Sequence, residues 1–105
     1  MATCGPHERF GHVHDRLAAS PHGVVVVLNH AGVVAGALRS GELEAHPDAL
    51  VEQVMHEGPS TVRPSEEIEA LVERMQRANS ANVIVTRSDG TLIGLFERAR
   101  AEQQP

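Results

Sequence analysis

An internal repeat constrains the fold of this chain more than any other feature. The segment TCGPHERFGHVHDRL, beginning at Thr3, shares Thr, Pro, Glu and Arg at matching places with TVRPSEEIEALVERM, beginning at Thr61. Thr3 corresponds to Thr61 and Arg16 to Arg74, so the offset is 58 residues, and the alignment runs without a gap to Leu43. Each copy is too short to bury a sufficient core alone, so the two copies are predicted to share one.

Both copies show the same succession of periodicities. The second copy has one apolar helix face, then the strand NVIVTR, a turn at Ser88-Asp89-Gly90 and the strand TLIGLF. The helix face consists of Ile68, Leu71, Val72 and Met75. The first copy repeats this order with a helix near Glu8 to Ala19 and the strands GVVVVL and VVAGAL. The sequence therefore predicts an α+β fold in which each copy reads strand, helix, strand, strand, helix.

The boundaries of the predicted elements come from capping and turn signals. Ser65 is expected to cap the helix of the second copy, with Glu66 and Glu67 in its first turn. The segment HPDALVEQVMHEG is predicted to form a linker helix, with Asp48 as its cap. The predicted organisation is therefore repeat 1 over 1–45, a linker helix over 46–58 and repeat 2 over 59–105.

Composition excludes several classes of partner. Lys and Arg number 9 against 14 Asp and Glu, and no basic run is present, so no nucleic acid is expected to bind. No apolar stretch approaches the roughly 20 residues that span a bilayer, and the amino terminus does not resemble a signal peptide. The single cysteine, Cys4, fits a reducing compartment. We therefore expect a cytoplasmic protein without a membrane segment.

The histidines and carboxylates do not form a recognisable catalytic or metal motif. Cys4, His7, His12 and His14 resemble a set of metal ligands, but His12 and His14 would lie about 200° apart on a helix. Paired carboxylates such as Glu66 and Glu67 are explained by helix ends, and no nucleophile stands beside a base. We expect no metal site, no required cofactor and no enzymatic activity.

The repeat resembles the cystathionine-β-synthase (CBS) domain, and two copies in tandem resemble a Bateman module. The second copy carries the resemblance most clearly, in VEQVMHEGPSTVRPS followed by NVIVTRSDGTLIGLF. The first copy departs from it at Cys4, Gly5 and His7. The resemblance implies a tandem CBS-domain pair, with two β-α-β-β-α repeats related by a pseudo-twofold axis. It further implies small sheets packed on helices and two clefts between the repeats.

Such modules sense ligands and regulate an attached or partner protein. The resemblance therefore implies binding of an adenosine-containing ligand, such as AMP, ADP, ATP or S-adenosylmethionine, in an inter-repeat cleft. Family members read the ribose with an acidic residue, because a carboxylate accepts hydrogen bonds from both hydroxyls. Glu42 holds this place in the first copy, whereas Arg100 holds it in the second.

The resemblance assigns two sets of candidate ligand residues. The first cleft would combine Gly36, Arg39, Glu42, Thr61, Val62, Asn82 and Val83. The second and weaker cleft would combine Thr3, Val24, Val25, Glu97 and Arg100, with Gly94 beside them. Arg39 could meet a phosphate or be a solvated arginine at a helix start. The valines could equally be core residues, and the threonines could serve strand ends.

An alternative function is a ligand-free module that dimerises or docks a partner. It is favoured by Arg100, and by Arg39 and Glu97 where the family has hydroxyl residues. In either case we expect a homodimer through the amphipathic helices, with the helix that carries Leu71 and Met75 contacting residues beyond its own chain.

Overall fold

The computed structural model describes residues 1–57 and 61–102, which fall into two compact units. The first unit spans Met1–Pro59 and the second spans Ser60–Pro105. Residues 58–60 and 103–105 lie outside the described part of the chain, including the end of the predicted linker.

The first unit is a four-stranded sheet with one long helix. Its elements are β1 (Thr3–Cys4), α1 (Phe10–Ala19), β2 (Val24–Leu28), β3 (Val34–Arg39), a 3-10 turn (Ser40–Glu42), α2 (Val51–Val54) and β4 (His56–Glu57). The strand order is β1-β2-β3-β4, with β1 parallel to β2 and the other neighbours antiparallel. The apolar face of α1 packs on the sheet and on α2, and the buried core is Cys4, Phe10, Val13, Leu17, Val25, Val27, Leu38 and Val51.

The second unit repeats this plan with a three-stranded sheet. Its elements are β5 (Thr61–Val62), α3 (Ile68–Arg77), β6 (Asn82–Thr86), β7 (Leu92–Glu97) and α4 (Arg98–Glu102). The strand order is β5-β6-β7, again with a parallel first pair and an antiparallel second pair. The α+β prediction and the order of elements are confirmed. The first repeat differs in its last element, which is a 3-10 turn in place of an α-helix.

The two repeats match in strand register and in one ion pair. Thr3 pairs with Val26 and Thr61 with Ile84, which preserves the offset of 58. The pairings of Val27 with Gly36 and of Val85 with Gly94 are likewise equivalent, and each is followed by an irregularity in register. The shared Glu and Arg also pair in both units, Glu8 with Arg16 at 3.1 Å and Glu66 with Arg74 at 2.7 Å.

The shared glutamate explains why the helices begin later than predicted. α1 begins at Phe10 and α3 begins at Ile68, so the predicted start at Glu8 and the predicted cap Ser65 are wrong. Neither helix has a side-chain cap, and the residues ahead of each form a turn. The Glu8 carboxylate accepts a hydrogen bond from the Gly5 backbone N–H at 2.6 Å and pairs with Arg16. Through these contacts Glu8 stabilises the turn ahead of α1, and Glu8 is therefore not part of the helix.

Within the described residues 46–57, the predicted linker helix forms only at Val51–Val54. The N-cap residue is Leu50 and not Asp48, and the Leu50 backbone N–H donates a hydrogen bond to Gln53 Oε1 at 2.9 Å. Ahead of this helix, the Phe10 N–H donates to the Ala49 carbonyl and the Gly11 N–H donates to the Pro47 carbonyl. The segment therefore supplies acceptors to the first turn of α1 and belongs to the first unit.

Gly36 allows β4 to lie against β3. A Cβ atom on Gly36 would stand 2.6 Å from the Met55 sulfur and 2.7 Å from the His56 carbonyl oxygen. Gly94, the equivalent glycine of the second repeat, has nothing within 4 Å of such a Cβ. Gly36 therefore has a packing function inside the first unit that Gly94 does not share.

Cys4 makes the stability of the protein sensitive to alkaline pH. Burial raises the pKa of the Cys4 thiol from 9.0 to about 11, with Glu8 adding to the shift and Arg16 opposing it. An unfolded chain therefore loses this proton at lower pH than the native one, so stability falls as pH rises from 9 to 11. The chain has no tyrosine and all its basic side chains other than histidine are arginines, so Cys4 is the side chain that titrates in this window.

Thermal melts followed by circular dichroism test this prediction. The melting temperature of the wild-type protein is expected to fall between pH 9 and pH 11, and that of Cys4→Ala to stay level. An equal fall in both proteins would show that another group is responsible.

Candidate functional site

The candidate residues of the first repeat lie where β3 ends and the 3-10 turn begins. Gly36 and Arg39 belong to β3, and Glu42 is the last residue of the turn. One carboxylate oxygen of Glu42, Oε2, accepts a hydrogen bond from the Arg39 backbone N–H at 2.8 Å. The other, Oε1, contacts Nε2 of His56 on β4. The predicted ribose-reading carboxylate therefore has partners of its own in this structure.

The second repeat contains a cavity of ≈ 470 Å³ beside β5 and α3. Its lining is Thr61, Val62, Leu71, Arg74, Met75, Ala78, Ser80 and Val83. The structure thus brings together Thr61, Val62 and Val83, three of the residues that the resemblance assigned to the first cleft. Asn82 begins β6, where it pairs with Glu97 of β7, and does not line this cavity.

Arg74 and Ser80 line this cavity but were not among the predicted site residues. Arg74 Nη1 lies 2.7 Å from Glu66 Oε1, so the guanidinium is held at the cavity by the ion pair that both repeats share. The sequence carried a signal for Arg74, because the Glu and Arg recur at the same offset as Thr and Pro. No sequence signal marked Ser80, since its position depends on the backbone conformation of the residues that follow α3.

The residues assigned to the second cleft are less suited to a ligand. Val24 and Val25 are 1% and 0% exposed, so their side chains are core residues. The Thr3 carbonyl accepts a hydrogen bond from Arg16 Nη1 at 2.8 Å, which serves the end of β1. Glu97 and Arg100 line a smaller cavity of ≈ 200 Å³. Its other lining residues are Ile68, Leu95, Phe96 and Ala101.

The histidine-rich part of the first repeat does not assemble a metal site in the described residues. No group of three or more possible ligands occurs among them. Cys4 is buried on β1, and the His14 ring meets the Phe10 ring edge to face at 5.9 Å. His7 Nε2 lies 3.7 Å from Glu52 Oε2 and lines a cavity of ≈ 480 Å³ together with Glu8 and His30. The hydrogen bond from Gly5, followed by the Arg16 contacts, lowers the pKa of Glu8.

Comparison with known proteins identifies the second repeat. Residues 51–100 match the family model described as the CBS domain. The second repeat is a CBS domain. Its match includes Thr61, Val62, Asn82, Val83, Glu97 and Arg100. No curated protein matches the chain by sequence.

Solved structures extend this result to the fold of the whole chain. The CBS domains of a transcriptional regulator from Streptococcus pneumoniae are 21% identical, with a TM-score of 0.85 over 98% of this chain and 87% of that one. CBSX2, solved in complex with AMP, is 16% identical, with a TM-score of 0.85 over 98% and 85% of the two chains. The cytosolic domain of the Mg²⁺ channel MgtE, solved in complex with ATP, is 20% identical, with a TM-score of 0.82 over 91% of this chain and 41% of that one.

These likenesses confirm the fold predicted from the repeat. The chain has the α+β fold of a tandem CBS-domain pair, although residues 1–50, which make up most of the first unit, lie outside the family match. The chain spans less than half the length of the MgtE domain that it resembles. Among the described residues, no helix is long and apolar enough to cross a bilayer.

Proposed function

We propose that this CBS-domain pair is a regulatory module that binds an adenosine-containing ligand. The observation that carries the proposal is the ≈ 470 Å³ cavity of the second repeat, in which Thr61, Val62 and Val83 come together. This volume is within the range of small-molecule sites, about 300–1,000 Å³. Two proteins of the same fold were solved with AMP and with ATP, which supports an adenine nucleotide as the first ligand to test.

The cavity suits a flat, largely apolar base. Val62, Leu71 and Met75 present aliphatic side chains, and the Thr61 side chain supplies a hydroxyl that can donate or accept. In this proposal Arg74 provides the cation for a phosphate, because a guanidinium offers several donors in a planar arrangement. Glu42 provides acceptors for the ribose hydroxyls. The contribution of Gly36, Arg39 and Glu42 to the same ligand remains a prediction.

The proposed role is regulatory and not catalytic. Ligand binding would change the behaviour of a partner protein or of a domain linked to this module. We further propose that the module works as a homodimer in the cytoplasm and needs no cofactor of its own.

A thermal-shift panel tests the proposal. AMP, ADP, ATP, S-adenosylmethionine and NAD are added separately to the protein, with ribose 5-phosphate as the control that lacks the base. A ligand that binds only the native state adds RT ln(1 + [L]/Kd) to the stability, or about 2.7 kcal/mol at a hundredfold excess over Kd. An adenine nucleotide should raise the melting temperature while ribose 5-phosphate does not. No shift with any adenosine compound would contradict the proposal.

A second candidate function is a module that dimerises or docks a partner without a ligand. The observation in its favour is Ile68, which is 57% exposed at the start of α3 and lines the ≈ 200 Å³ cavity with Leu95 and Phe96. Leu71 and Met75, each 4% exposed, are core residues of the second unit. If α3 contacts a second copy, the contact would therefore be made through Ile68 and its neighbours.

A substitution at Ile68 tests this proposed dimer contact. Ile68→Glu places a charge in the proposed dimer contact, where burying an unpaired carboxylate is strongly unfavourable. Sedimentation at micromolar concentration is expected to show a dimer for the wild-type protein and a monomer for the variant. Glu69→Gln, a change on the same helix at an exposed residue, is the control and should remain dimeric. A wild-type monomer at high micromolar concentration would contradict the homodimer.

A further inference from the structure

The surface formed by the start of α3 and by β7 is open, whereas its counterpart in the first unit is covered. Ile68 is 57% exposed, and Leu95 and Phe96 are only partly buried. The offset of 58 residues assigns these three places to residues of the first unit that are all fully buried, namely Phe10, Ala37 and Leu38. The same places of the repeat therefore belong to the core of one unit and to the surface of the other.

The segment 46–57 covers this surface in the first unit. Val51 of its short helix joins Phe10 in the buried core. His56 of its strand pairs with Ala37 at the edge of β3. One short helix followed by two strand residues therefore covers both the first turn of α1 and the outer edge of the hairpin. In the described part of the chain, β7 is the edge strand of its sheet, so its outer side has no such cover.

Gly94 indicates that another backbone approaches the open edge as well. In the first unit, a Cβ atom on Gly36 would stand 2.6 Å from the Met55 sulfur and 2.7 Å from the His56 carbonyl oxygen, so this glycine makes room for β4. Gly94 occupies the equivalent place with nothing within 4 Å of such a Cβ. Glycine inside a strand is less favourable than alanine, and it often marks a place where another backbone comes close. Gly94 therefore suits an edge that receives a further strand.

We propose that this open surface is the docking site for a segment of a partner protein that is built like 46–57 but carries a carboxylate in the place of His56. The docking site consists of Ile68, Gly94, Leu95, Phe96 and Arg100. The segment lays an aliphatic side chain on Ile68, as Val51 covers Phe10, and pairs a short strand with β7. This inference goes beyond the proposed ligand function and does not depend on it.

The carboxylate of the partner segment follows from the charge of Arg100. In the first unit, the His56 side chain contacts the Glu42 carboxylate. Arg100 stands in the place of Glu42, is exposed, and lines the ≈ 200 Å³ cavity with Leu95 and Phe96. An acidic side chain opposite Leu95 can pair with this guanidinium in a charge-assisted hydrogen bond. The protein's own segment has an imidazole at this place and complements the guanidinium less well.

Fluorescence anisotropy with two labelled synthetic peptides tests the docking. Both are derived from residues 46–58: the acidic peptide HPDALVEQVMEEG carries His56→Glu, and the basic peptide HPDALVEQVMKEG carries His56→Lys. Wild-type protein should bind the acidic peptide about twofold to fivefold more tightly, the range expected for one exposed ion pair. Arg100→Glu should reverse this preference, because the charge at the docking site is then inverted.

Three variants locate the acidic peptide on the protein. Ile68→Glu should abolish binding, since the aliphatic side chain of the peptide would bury a carboxylate. Gly94→Ala should weaken binding at least about fivefold, because the new Cβ occupies the space of the incoming strand. Its melting temperature should not fall, which separates lost docking from lost folding. The control Glu69→Gln, at an exposed residue of α3, should bind like wild-type protein.

Four results would overturn the docking site. They are no binding of the acidic peptide at millimolar concentration, equal affinity for the two peptides, unchanged binding by Ile68→Glu, and unchanged binding by Gly94→Ala. Sedimentation adds a test against a second copy as the occupant. Where two copies meet through Ile68, saturating acidic peptide should separate them into monomers. A dimer that persists at peptide saturation would assign this surface to the second copy and overturn the inference.

Discussion

Glu42→Ala is expected to weaken AMP binding at least about tenfold, while Arg100→Ala leaves the affinity nearly unchanged. A hydrogen bond to a charged acceptor contributes about 1.5 to 3 kcal/mol, so one lost bond to the ribose accounts for the tenfold loss. Arg100 has only donors and cannot replace a carboxylate toward the ribose hydroxyls. Isothermal titration calorimetry measures both affinities and the number of sites per chain.

The melting temperatures of the unliganded variants serve as the control for this comparison. Glu42 also accepts the Arg39 N–H and contacts His56, so its removal is expected to lower the melting temperature as well. The titration is therefore carried out below the melting range of the variant. Two equivalent sites per chain, or a larger loss for Arg100→Ala than for Glu42→Ala, would show that the two clefts were assigned the wrong way round.

Gly36→Ala is expected to destabilise the protein by about 1–3 kcal/mol, the usual cost of forcing an extra methyl group into a packed site. The added Cβ would meet the Met55 sulfur and the His56 carbonyl oxygen at 2.6 and 2.7 Å. The methionine side chain can rotate, but the carbonyl can move only if β4 shifts away from β3. Chemical denaturation gives the change in stability, and amide exchange at His56 and Glu57 should rise with it.

Gly94→Ala is the matched control for Gly36→Ala. It stands at the equivalent place in β7, with nothing within 4 Å of the new Cβ. Its expected effect lies between neutral and a gain of up to about 1 kcal/mol, because alanine loses less conformational freedom than glycine on folding. A cost at Gly94 as large as that at Gly36 would contradict the difference between the two strands.

The repeat and its periodicities predicted most of the fold because they depend on local sequence. The β-branched run NVIVTR, the turn signal that follows it and the strand TLIGLF specify a hairpin, and the 58-residue offset predicts the equivalent hairpin in the first repeat. The apolar face of α3 was predicted correctly at Leu71 and Met75, which are buried, but Ile68 of the same predicted face is 57% exposed. Periodicity identifies an apolar face without saying whether the same unit or another chain covers it. Leu71 and Met75 are covered by their own unit.

The errors arose where residues distant in sequence exchange hydrogen bonds. The segment HPDALVEQV reads as helical by itself, yet its carbonyls at Pro47 and Ala49 serve the amide groups of α1. A cap prediction at Ser65 likewise could not include the Glu66–Arg74 ion pair across the turn. The candidate site suffers from the same limit, because the partners of Glu42 come from the turn and from β4, which was predicted as part of a helix.

The integration of α2 and β4 into the first unit sets where the coding sequence can be divided. A fragment ending at Ala45 would omit Val51, which is 0% exposed in the core, and would uncover one edge of β3. It would also remove the carbonyl acceptors that serve the first turn of α1. A transplantable first module must therefore extend through Glu57, so that a fusion joint or protease site belongs after β4 and not after the 3-10 turn.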